Sequence, residues 1–363
     1  MTRQRDDAAQ GWLDALFAAQ PMPALSVAIA GPDGVLWQGA KGLVDLDHQV
    51  PAKPGSCFRL ASVSKPITAM LAARLASRGV IALDTPIGYW LPDLPQQHRA
   101  TTLTQLLTHR AGVRHYLPKD LDPAQPYGSI HNRAGWTREQ VLAVFIDDAL
   151  VAPPGTTVGY SSFGYTLASL VIEAAAAAPF LQLVAEEIAA PFTLPSLRAD
   201  RGEQVIPGRA RGYVSAGERR FLRRQFPHAS WPEPFDGWGA AMPVNPGYSW
   251  AGAGMIATMP DIARFGAAHL DSPASLISAA ERALLFTPLT ERTEQMPPLG
   301  LGWRVDHDPT GRLRWHHSGG MPGACTMLVI YPAAQLAIAF ASNCTTAPTN
   351  GLGHCATLAD LFA

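Results

Sequence analysis

Apolar residues along the chain follow two different periods, which divide it into strand-rich ends and a helical middle. Ala24–Ala30 and Val35–Gly42 are β-type runs separated by Gly31-Pro32-Asp33-Gly34, a cluster that favours a turn. Near the other end, β-type runs recur at Leu301–Val305, Leu313–His317, Cys325–Tyr331 and Leu336–Ser342. Strands at both ends with helices between predict one sheet assembled from both termini.

Helical patterns fill most of the remaining chain. A helix is predicted over Ser62–Ser77, because the segment is rich in Ala, Leu and Met and is followed by Gly79. Other helical segments are predicted at Met1–Gln20, Leu103–Leu107, Arg138–Ile146, Tyr165–Ala177 and Asp261–Leu270. Gly217–Asp236, with four arginines followed by several prolines, is predicted to be a loop.

These patterns predict an α+β fold in which an antiparallel sheet is flanked by helices and carries an inserted helical domain. The sheet domain is expected to comprise residues 1–82 and 235–363, and the mainly helical insertion residues 83–234. A chain of 363 residues allows about two such structural units.

Composition and charge narrow the function classes. The chain is 47% hydrophobic and 16% charged, which is typical of a globular protein with a large core. Its formal net charge of −1 creates no field that would attract a polyanion, so nucleic-acid binding is not expected. The N-terminal helix lacks the apolar core of a signal peptide, and no run of 18 apolar residues predicts a membrane span.

The cysteines and histidines do not indicate a metal or cofactor site. The four cysteines, Cys57, Cys325, Cys344 and Cys355, form neither CxxC pairs nor a dense disulfide framework. We expect reduced thiols in a cytoplasmic protein. His109 and His115 lack a metal-ligand spacing, so neither a metal nor another cofactor is expected.

The candidate chemistry centres on the SxxK tetrad Ser62-Val63-Ser64-Lys65 at the start of a predicted helix. Positions i and i+3 share a helix face, so Lys65 can reach the Ser62 hydroxyl. The helix N-terminus also favours negative charge developing beside the serine. Serine needs a base to act as a nucleophile, and a buried lysine can lose its proton near neutral pH. Because such a tetrad also arises by chance, it is weak evidence alone.

Two further segments strengthen the hypothesis. A glycine-containing turn brings Tyr160 just before a predicted helix, where a tyrosine near a lysine can shuttle protons; an aromatic anchor in a helical core is the alternative. Trp315–Gly323 ends one predicted strand and leads into the next. One of its N–H groups can pair with that of Ser62 as an oxyanion hole, unless the segment is only a turn.

Ser62-x-x-Lys65, Tyr160-Ser161-Ser162 and His317-Ser318-Gly319 resemble the three motifs of the β-lactamase and penicillin-binding serine hydrolases. Segments similar to class C members are Phe58–Thr68, Leu106–Gly112, Pro154–Tyr165, Ala251–Phe265 and Gly300–Trp303. Segments most similar to the mitochondrial serine β-lactamase-like group and its bacterial relatives are Gly112–Tyr116, Tyr160–Leu167 and Tyr248–Gly252. The resemblance extends over most of the chain and implies a β-lactamase/transpeptidase-like fold.

The resemblance also implies roles for individual residues. Ser62 is expected to be the acylated nucleophile, Lys65 the proton acceptor and Tyr160 its partner in a proton relay. The expected oxyanion-hole donors are the N–H groups of Ser62 and Gly320. The expected substrate-binding residues are Ser162, His317, Ser318, Gly319, His115, Tyr116 and Trp250. For His115 and Tyr116 the alternative is an exposed loop, and for Trp250 a core position.

Two departures from the lactamase pattern bear on the substrate. Ser162 stands where most of the superfamily has asparagine, and His317 stands where lactamases have lysine. A serine hydroxyl replaces an amide poorly, and a mostly neutral histidine attracts a carboxylate weakly. We therefore expect hydrolysis of a small ester, amide or peptide bond rather than efficient β-lactam hydrolysis.

Two alternatives stay open. The first is β-lactamase or D,D-peptidase activity at the same site. The second belongs to another class of protein: a structural protein that self-assembles on this fold. A homo-oligomer is compatible with either function.

Overall fold

The computed structural model describes residues 2–122, 124, 125, 128, 130, 133–225, 227, 237–273 and 275–363. The helices in these residues are α1 (Thr2–Ala19), α2 (Ser64–Ser77), α3 (Gln96–Arg99), α4 (Leu103–Leu107), α5 (Arg138–Ala143), α6 (Ser162–Ala176), α7 (Phe180–Val184), α8 (Ala216–Gln225), α9 (Trp250–Ala253), α10 (Met259–Ala267), α11 (Ala279–Phe286) and α12 (Gly351–Phe362).

The strands in the same residues are β1 (Ala24–Gly31), β2 (Gly34–Asp45), β3 (Val50–Pro51), β4 (Cys57–Arg59), β5 (Arg198–Ala199), β6 (Tyr213–Ser215), β7 (Trp238–Ala240), β8 (Met255–Thr258), β9 (Arg304–His307), β10 (Leu313–Met321), β11 (Ala324–Tyr331) and β12 (Leu336–Ser342).

The main sheet joins strands from both ends of the chain. Its seven strands have the order β3-β2-β1-β12-β11-β10-β9, and each neighbouring pair is antiparallel. The central pair is β1 with β12, in which Leu25 lies opposite Ser342. This confirms the predicted α+β fold with an antiparallel sheet. The proposed division into a sheet domain and an inserted helical domain stays a prediction.

Alternate residues of the central strands enter two hydrophobic cores, as the period of a β-strand requires. On one face, Leu25, Val27 and Ile29 pack with residues of α1 and α12. On the other face β12 presents only alanines, Ala337, Ala339 and Ala341, to the larger core. Helix α10 packs closely on these alanines. A Cβ added at Gly266 of this helix would lie only 2.8 Å from Ala337 Cβ.

The two segments that carry the first and third motifs differ slightly from the prediction. Ala61–Val63 forms a single 3-10 turn, so Ser62 precedes α2 rather than opening it. The prediction that β10 ends at His317 is wrong, because the strand continues to Met321, which pairs with Ala324. The turn itself is short, and Gly323 supplies its left-handed φ of 73°.

The predicted loop at Gly217–Asp236 is wrong for its first part. Helix α8 covers Ala216–Gln225, with Leu222 buried and Arg220, Arg223 and Arg224 exposed. This one-sided burial is the pattern of a surface helix, which the arginine content of the segment obscured. Residues 226 and 228–236 lie outside the described residues.

The structure also bears on membrane spans, thiols and metal ligands. Among described residues, no single helix is long and apolar enough to cross a membrane; only the bent pair Ser162–Ala176 and Phe180–Ala189, at 83°, meets that test. All four cysteines are free, and Cys57, Cys344 and Cys355 are buried. Within the described part of the chain no cluster of three or more His, Cys, Asp or Glu residues could hold a metal ion.

Candidate active site

Ser62 lies on the short turn that joins β4 to α2. Two hydrogen bonds to β8 hold this turn: Leu60 N donates to Met255 O at 2.9 Å, and Met255 N donates to Ser64 Oγ at 3.2 Å. The Ser62 side chain is partly exposed. Its Oγ lies 3.1 Å from Lys65 Nζ and 2.8 Å from Tyr160 Oη. The predicted convergence of a lysine amine and a phenol on one serine hydroxyl is therefore present in the structure.

Lys65 is fully buried and makes three hydrogen bonds. Its Nζ donates to Gly252 O at 2.8 Å, to Ser162 Oγ at 3.2 Å and to Ser62 Oγ at 3.1 Å. Burial lowers the pKa of Lys65, and the nearby Tyr160 opposes part of that shift. Gly252 O and Ser162 Oγ accept two of the N–H groups of Nζ. The side of Nζ that faces Ser62 then carries the third N–H when Lys65 is an ammonium, and a lone pair when Lys65 is a neutral amine. This geometry suits proton transfer with Ser62.

Tyr160 lies at the edge of the cleft, just before α6. Burial raises the pKa of its phenol, but the positive charge of the neighbouring Lys65 and the hydrogen bond with Ser62 outweigh this, so that the pKa is lowered overall. Lys65 Nζ also lies 4.8 Å from the centre of the Tyr160 ring. A phenol with a lowered pKa donates its proton more readily, and its phenolate form is accessible closer to neutral pH.

The third motif lies on β10 beside the Ser62 turn. β9 pairs with β10 only as far as His316, so the following residues have an edge without a neighbouring strand. This edge approaches the turn closely, because a Cβ added at Gly319 would lie 2.2 Å from Leu60 O and 3.0 Å from Ser62 N. Only glycine permits this approach. A Cβ added at Gly320 would meet nothing within 4 Å.

A cleft of about 320 Å³ opens over Ser62. Its walls contain Ser62, His115, Tyr116, Tyr160, Ser162, Val244, Tyr248, Ala253, Arg304, Ser318, Gly320, Met321 and Pro322. Strand alternation explains why Ser318 and Gly320 line it whereas His317 and Gly319 do not. Trp250 is also absent from these walls; it packs against the larger core, and Arg201 lies over its ring.

His317 is buried behind the cleft. Its Nδ1–H donates to Ser318 O at 2.7 Å, and the side chain is fully enclosed. Burial, together with the positive charges of Arg304 and Lys65, holds the pKa of His317 well below its usual value. The third motif therefore contributes a neutral histidine, not a cation.

Arg304 is a charged cleft residue that the sequence patterns did not indicate. It begins β9, directly after the Gly300–Trp303 segment, and its Nη1 donates to Ser318 Oγ at 3.3 Å. Burial lowers the pKa of its guanidinium. Within the described part of the chain, no carboxylate forms an ion pair with Arg304; Asp306 on the same strand pairs with Arg314 at 2.7 Å. Among the described residues, the Arg304 guanidinium in the cleft therefore has no acidic ion-pair partner.

The fold and the serine, lysine and tyrosine side chains at this cleft define a serine hydrolase. The Beta-lactamase family model matches residues 9–354. The chain belongs to the beta-lactamase family, as its motifs predicted.

The relatives include several kinds of protein. The human protein named serine beta-lactamase-like protein LACTB, mitochondrial, is 23% identical over 85% of this chain and 69% of its own length. Esterase EstB of Burkholderia gladioli is 31% identical over 66% of this chain and 64% of its own. Among solved structures, a D-amino acid amidase from Ochrobactrum anthropi has a TM-score of 0.79 at 23% identity, covering 94% of this chain and 92% of its own. This structural similarity to the amidase supports the fold alone.

Proposed function

We propose that the protein hydrolyses a small ester, amide or peptide bond through an acyl-Ser62 intermediate. Ser62 Oγ attacks the carbonyl carbon while its proton passes to Lys65. The N–H groups of Ser62 and Gly320 stabilise the oxyanion, and Tyr160 relays the proton to the leaving alcohol or amine. Water then attacks the acyl carbon, and Ser62 regains its proton as the acid leaves.

The observation that carries this proposal is the pair of short contacts on one hydroxyl. Lys65 Nζ and Tyr160 Oη lie 3.1 and 2.8 Å from Ser62 Oγ. Lys65 comes from the helix that follows Ser62, whereas Tyr160 comes from a distant segment of the chain. Both distances lie within hydrogen-bond range, which a proton acceptor for a nucleophile requires. The same hydroxyl lies at the wall of an open cleft, so that a substrate carbonyl has access.

Arg304 favours a substrate that carries a negative group. Its guanidinium reaches the cleft and donates to the neutral hydroxyl of Ser318. A partly buried cation gains from a carboxylate that replaces the hydration it has lost. A peptide or amide with a free carboxylate therefore suits this cleft better than an uncharged ester.

The remaining cleft residues supply the shape of the substrate site. We propose that Ser162, Ser318, His115 and Tyr116 contact substrate directly, since all four line the cleft. His317, Gly319 and Trp250 lie outside its walls and are proposed to act through packing. Gly319 in particular lets β10 approach the Ser62 turn.

We also propose a cytoplasmic location and no nucleic-acid partner. Four unpaired thiols suit a reducing compartment, and a net charge of −1 gives nucleic acid no attraction. Among the relatives, one is named an esterase and another a mitochondrial protein. A homo-oligomer stays a prediction.

Labelling with a fluorophosphonate probe tests the acyl-enzyme directly. We expect one covalent adduct on Ser62 in the wild type, none in Ser62→Ala, and unchanged labelling in Ser77→Ala, which removes a serine at the far end of α2. Because removing a nucleophile leaves only binding and oxyanion stabilisation, turnover should fall by about 1,000-fold or more.

A substrate panel separates the alternatives. Short-chain p-nitrophenyl esters, peptide anilides and nitrocefin are compared in the wild type and in Ser62→Ala. Strong nitrocefin turnover without esterase or peptidase activity would contradict the proposed substrate class and identify the protein as a β-lactamase. Absence of labelling and turnover, together with concentration-dependent assembly that Ser62→Ala leaves unchanged, would favour the structural alternative.

A further inference from the structure

Two histidines bind consecutive backbone amides of the second motif. Ser161 N donates to His109 Nδ1 at 3.1 Å, and Ser162 N donates to His115 Nδ1 at 3.2 Å. An imidazole nitrogen accepts a hydrogen bond only when it carries no proton. Both rings must therefore be neutral, with the proton on Nε2. Consecutive amides held by side chains in this way fix the path of the chain immediately after Tyr160.

His109 holds the chain on both sides of Tyr160. Its main-chain O accepts from Gly159 N at 2.8 Å, while its Nδ1 accepts from Ser161 N. The residue has a left-handed φ of 57°, a conformation that few non-glycine residues adopt. Its ring also lies 4.4 Å from the Tyr160 ring, centre to centre. Peptide and ring contacts thus act on the same tyrosine.

His115 extends this arrangement from the same loop. Its ring meets that of Tyr160 edge to face at 5.3 Å. The preceding residue anchors the loop: Arg114 is buried, pairs with Asp120 at 2.7 Å and with Asp148 at 2.5 Å, and its O accepts from Ser161 Oγ at 2.7 Å. His115 is therefore presented from a segment tied to the rest of the protein.

The surroundings keep both rings neutral. Burial and the positive charges of Lys65 and Arg304 hold the pKa of His109 well below its usual value. His115 is partly exposed at the cleft wall, but desolvation of its ring and the positive charges of Lys65 and Arg114 lower its pKa to about 4. At neutral pH both Nδ1 atoms are thus available as acceptors.

We propose that His109 and His115 are positioning residues, whose neutral Nδ1 atoms hold the Tyr160 phenol on the Ser62 hydroxyl. The inference rests on the proposed function, in which Tyr160 relays the proton of Ser62. It assigns to these histidines a task that neither their spacing nor the three motifs indicates. Without the acceptors, two amides beside Tyr160 lose their partners, and the phenol is free to leave its 2.8 Å contact with Ser62 Oγ.

His109 provides the sharper test, because it lies outside the cleft walls and does not meet substrate. His109→Phe keeps an aromatic ring beside Tyr160 and removes the acceptor. His109→Asn keeps an acceptor near the position of Nδ1, and asparagine tolerates a left-handed φ. The acylation rate and its half-saturating substrate concentration are measured in single-turnover experiments with a p-nitrophenyl ester.

We expect His109→Phe to lower the acylation rate by about 10- to 100-fold, because displacing a reacting group by about 1 Å costs on that order. The half-saturating concentration should stay within about twofold, since binding is not affected. His109→Asn should recover most of the rate. His98→Phe, which removes a buried histidine bonded to Ile146 O at 2.8 Å, is the matched control and should leave the rate unchanged.

Equal rates in His109→Phe and the wild type would overturn the proposal, as would equal losses in the Phe and Asn variants. If His109→Phe does not fold, His109→Gly, which also removes the acceptor and tolerates the left-handed φ, is compared with His109→Asn in the same way. If the wild type shows no acylation, the proposed function fails. The distance from Tyr160 Oη to Ser62 Oγ in crystal structures of the same variants then tests the positioning role alone; an unchanged distance would refute it.

Discussion

At the scale of single residues, the cation of the cleft lies on β9 and not in the third motif. The third motif carries His317, which is buried and neutral, while Arg304 on the neighbouring strand brings a guanidinium to the cleft. Arginine offers five N–H donors in a planar fork, which suits a carboxylate better than the point charge of a lysine. The loss of the motif lysine therefore need not mean loss of carboxylate recognition.

Substitution of Arg304 tests this argument. We expect Arg304→Met to lower kcat/KM for a peptide substrate with a free carboxylate by about 10- to 100-fold, since a hydrogen bond to a charged group contributes about 1.5–3 kcal/mol. Arg304→Lys should recover part of this loss. For the matching amide without the carboxylate, the change should be less than about fivefold. Equal losses on both substrates would show that Arg304 serves the catalytic groups and does not select the substrate.

At the scale of secondary structure, local patterns predicted the elements better than their ends. The helix after Ser62 and the hairpin of β11 and β12 were predicted nearly as observed, because period and turn residues agree there. Arg304 was missed because the strand was predicted at Leu301–Val305, whereas β9 is Arg304–His307. Which side chains reach the cleft depends on pairing with β10, and that pairing is not visible in local sequence.

The close approach of β10 to the Ser62 turn gives a prediction for Gly319. Gly319→Ala places a Cβ 2.2 Å from Leu60 O, so that the strand and the turn must move apart. Because the proposed oxyanion donors lie on both segments, we expect kcat to fall by about 100-fold. Gly55→Ala, where a Cβ meets nothing within 4 Å, is the control and should keep wild-type kcat. A Gly319→Ala enzyme with normal kcat would contradict the proposed oxyanion hole.

At the scale of the whole molecule, the sheet separates two hydrophobic cores of different character. Leucine, valine and isoleucine face α1 and α12, while the alanine face of β12 receives α10. Sequence patterns predicted the strands and the fold class because alternation and turns are local signals. They did not indicate which face would accept a helix so closely, since that follows from the sizes of residues on distant elements.

Enlarging Gly266 tests the packing of these layers. A Cβ there lies 2.8 Å from Ala337 Cβ and 2.9 Å from Leu328 Cδ1, so Gly266→Val overfills the contact between α10 and the sheet. We expect the free energy of unfolding, measured in urea, to fall by about 1–3 kcal/mol. Gly11→Val, at a site with nothing within 4 Å, should change it much less. An unchanged urea midpoint for Gly266→Val would mean that the layers separate without cost.

The pairing of β1 with β12 has a consequence for biosynthesis. Leu25 meets Ser342 only after more than three hundred further residues have left the ribosome. Until then β1 exposes an edge whose backbone N–H and C=O groups have no strand partner. Long-range pairing of this kind slows folding and leaves time for aggregation. Ribosome-associated chaperones would therefore meet this chain with one edge of β1 unpaired for most of translation, although β2 already covers the other edge.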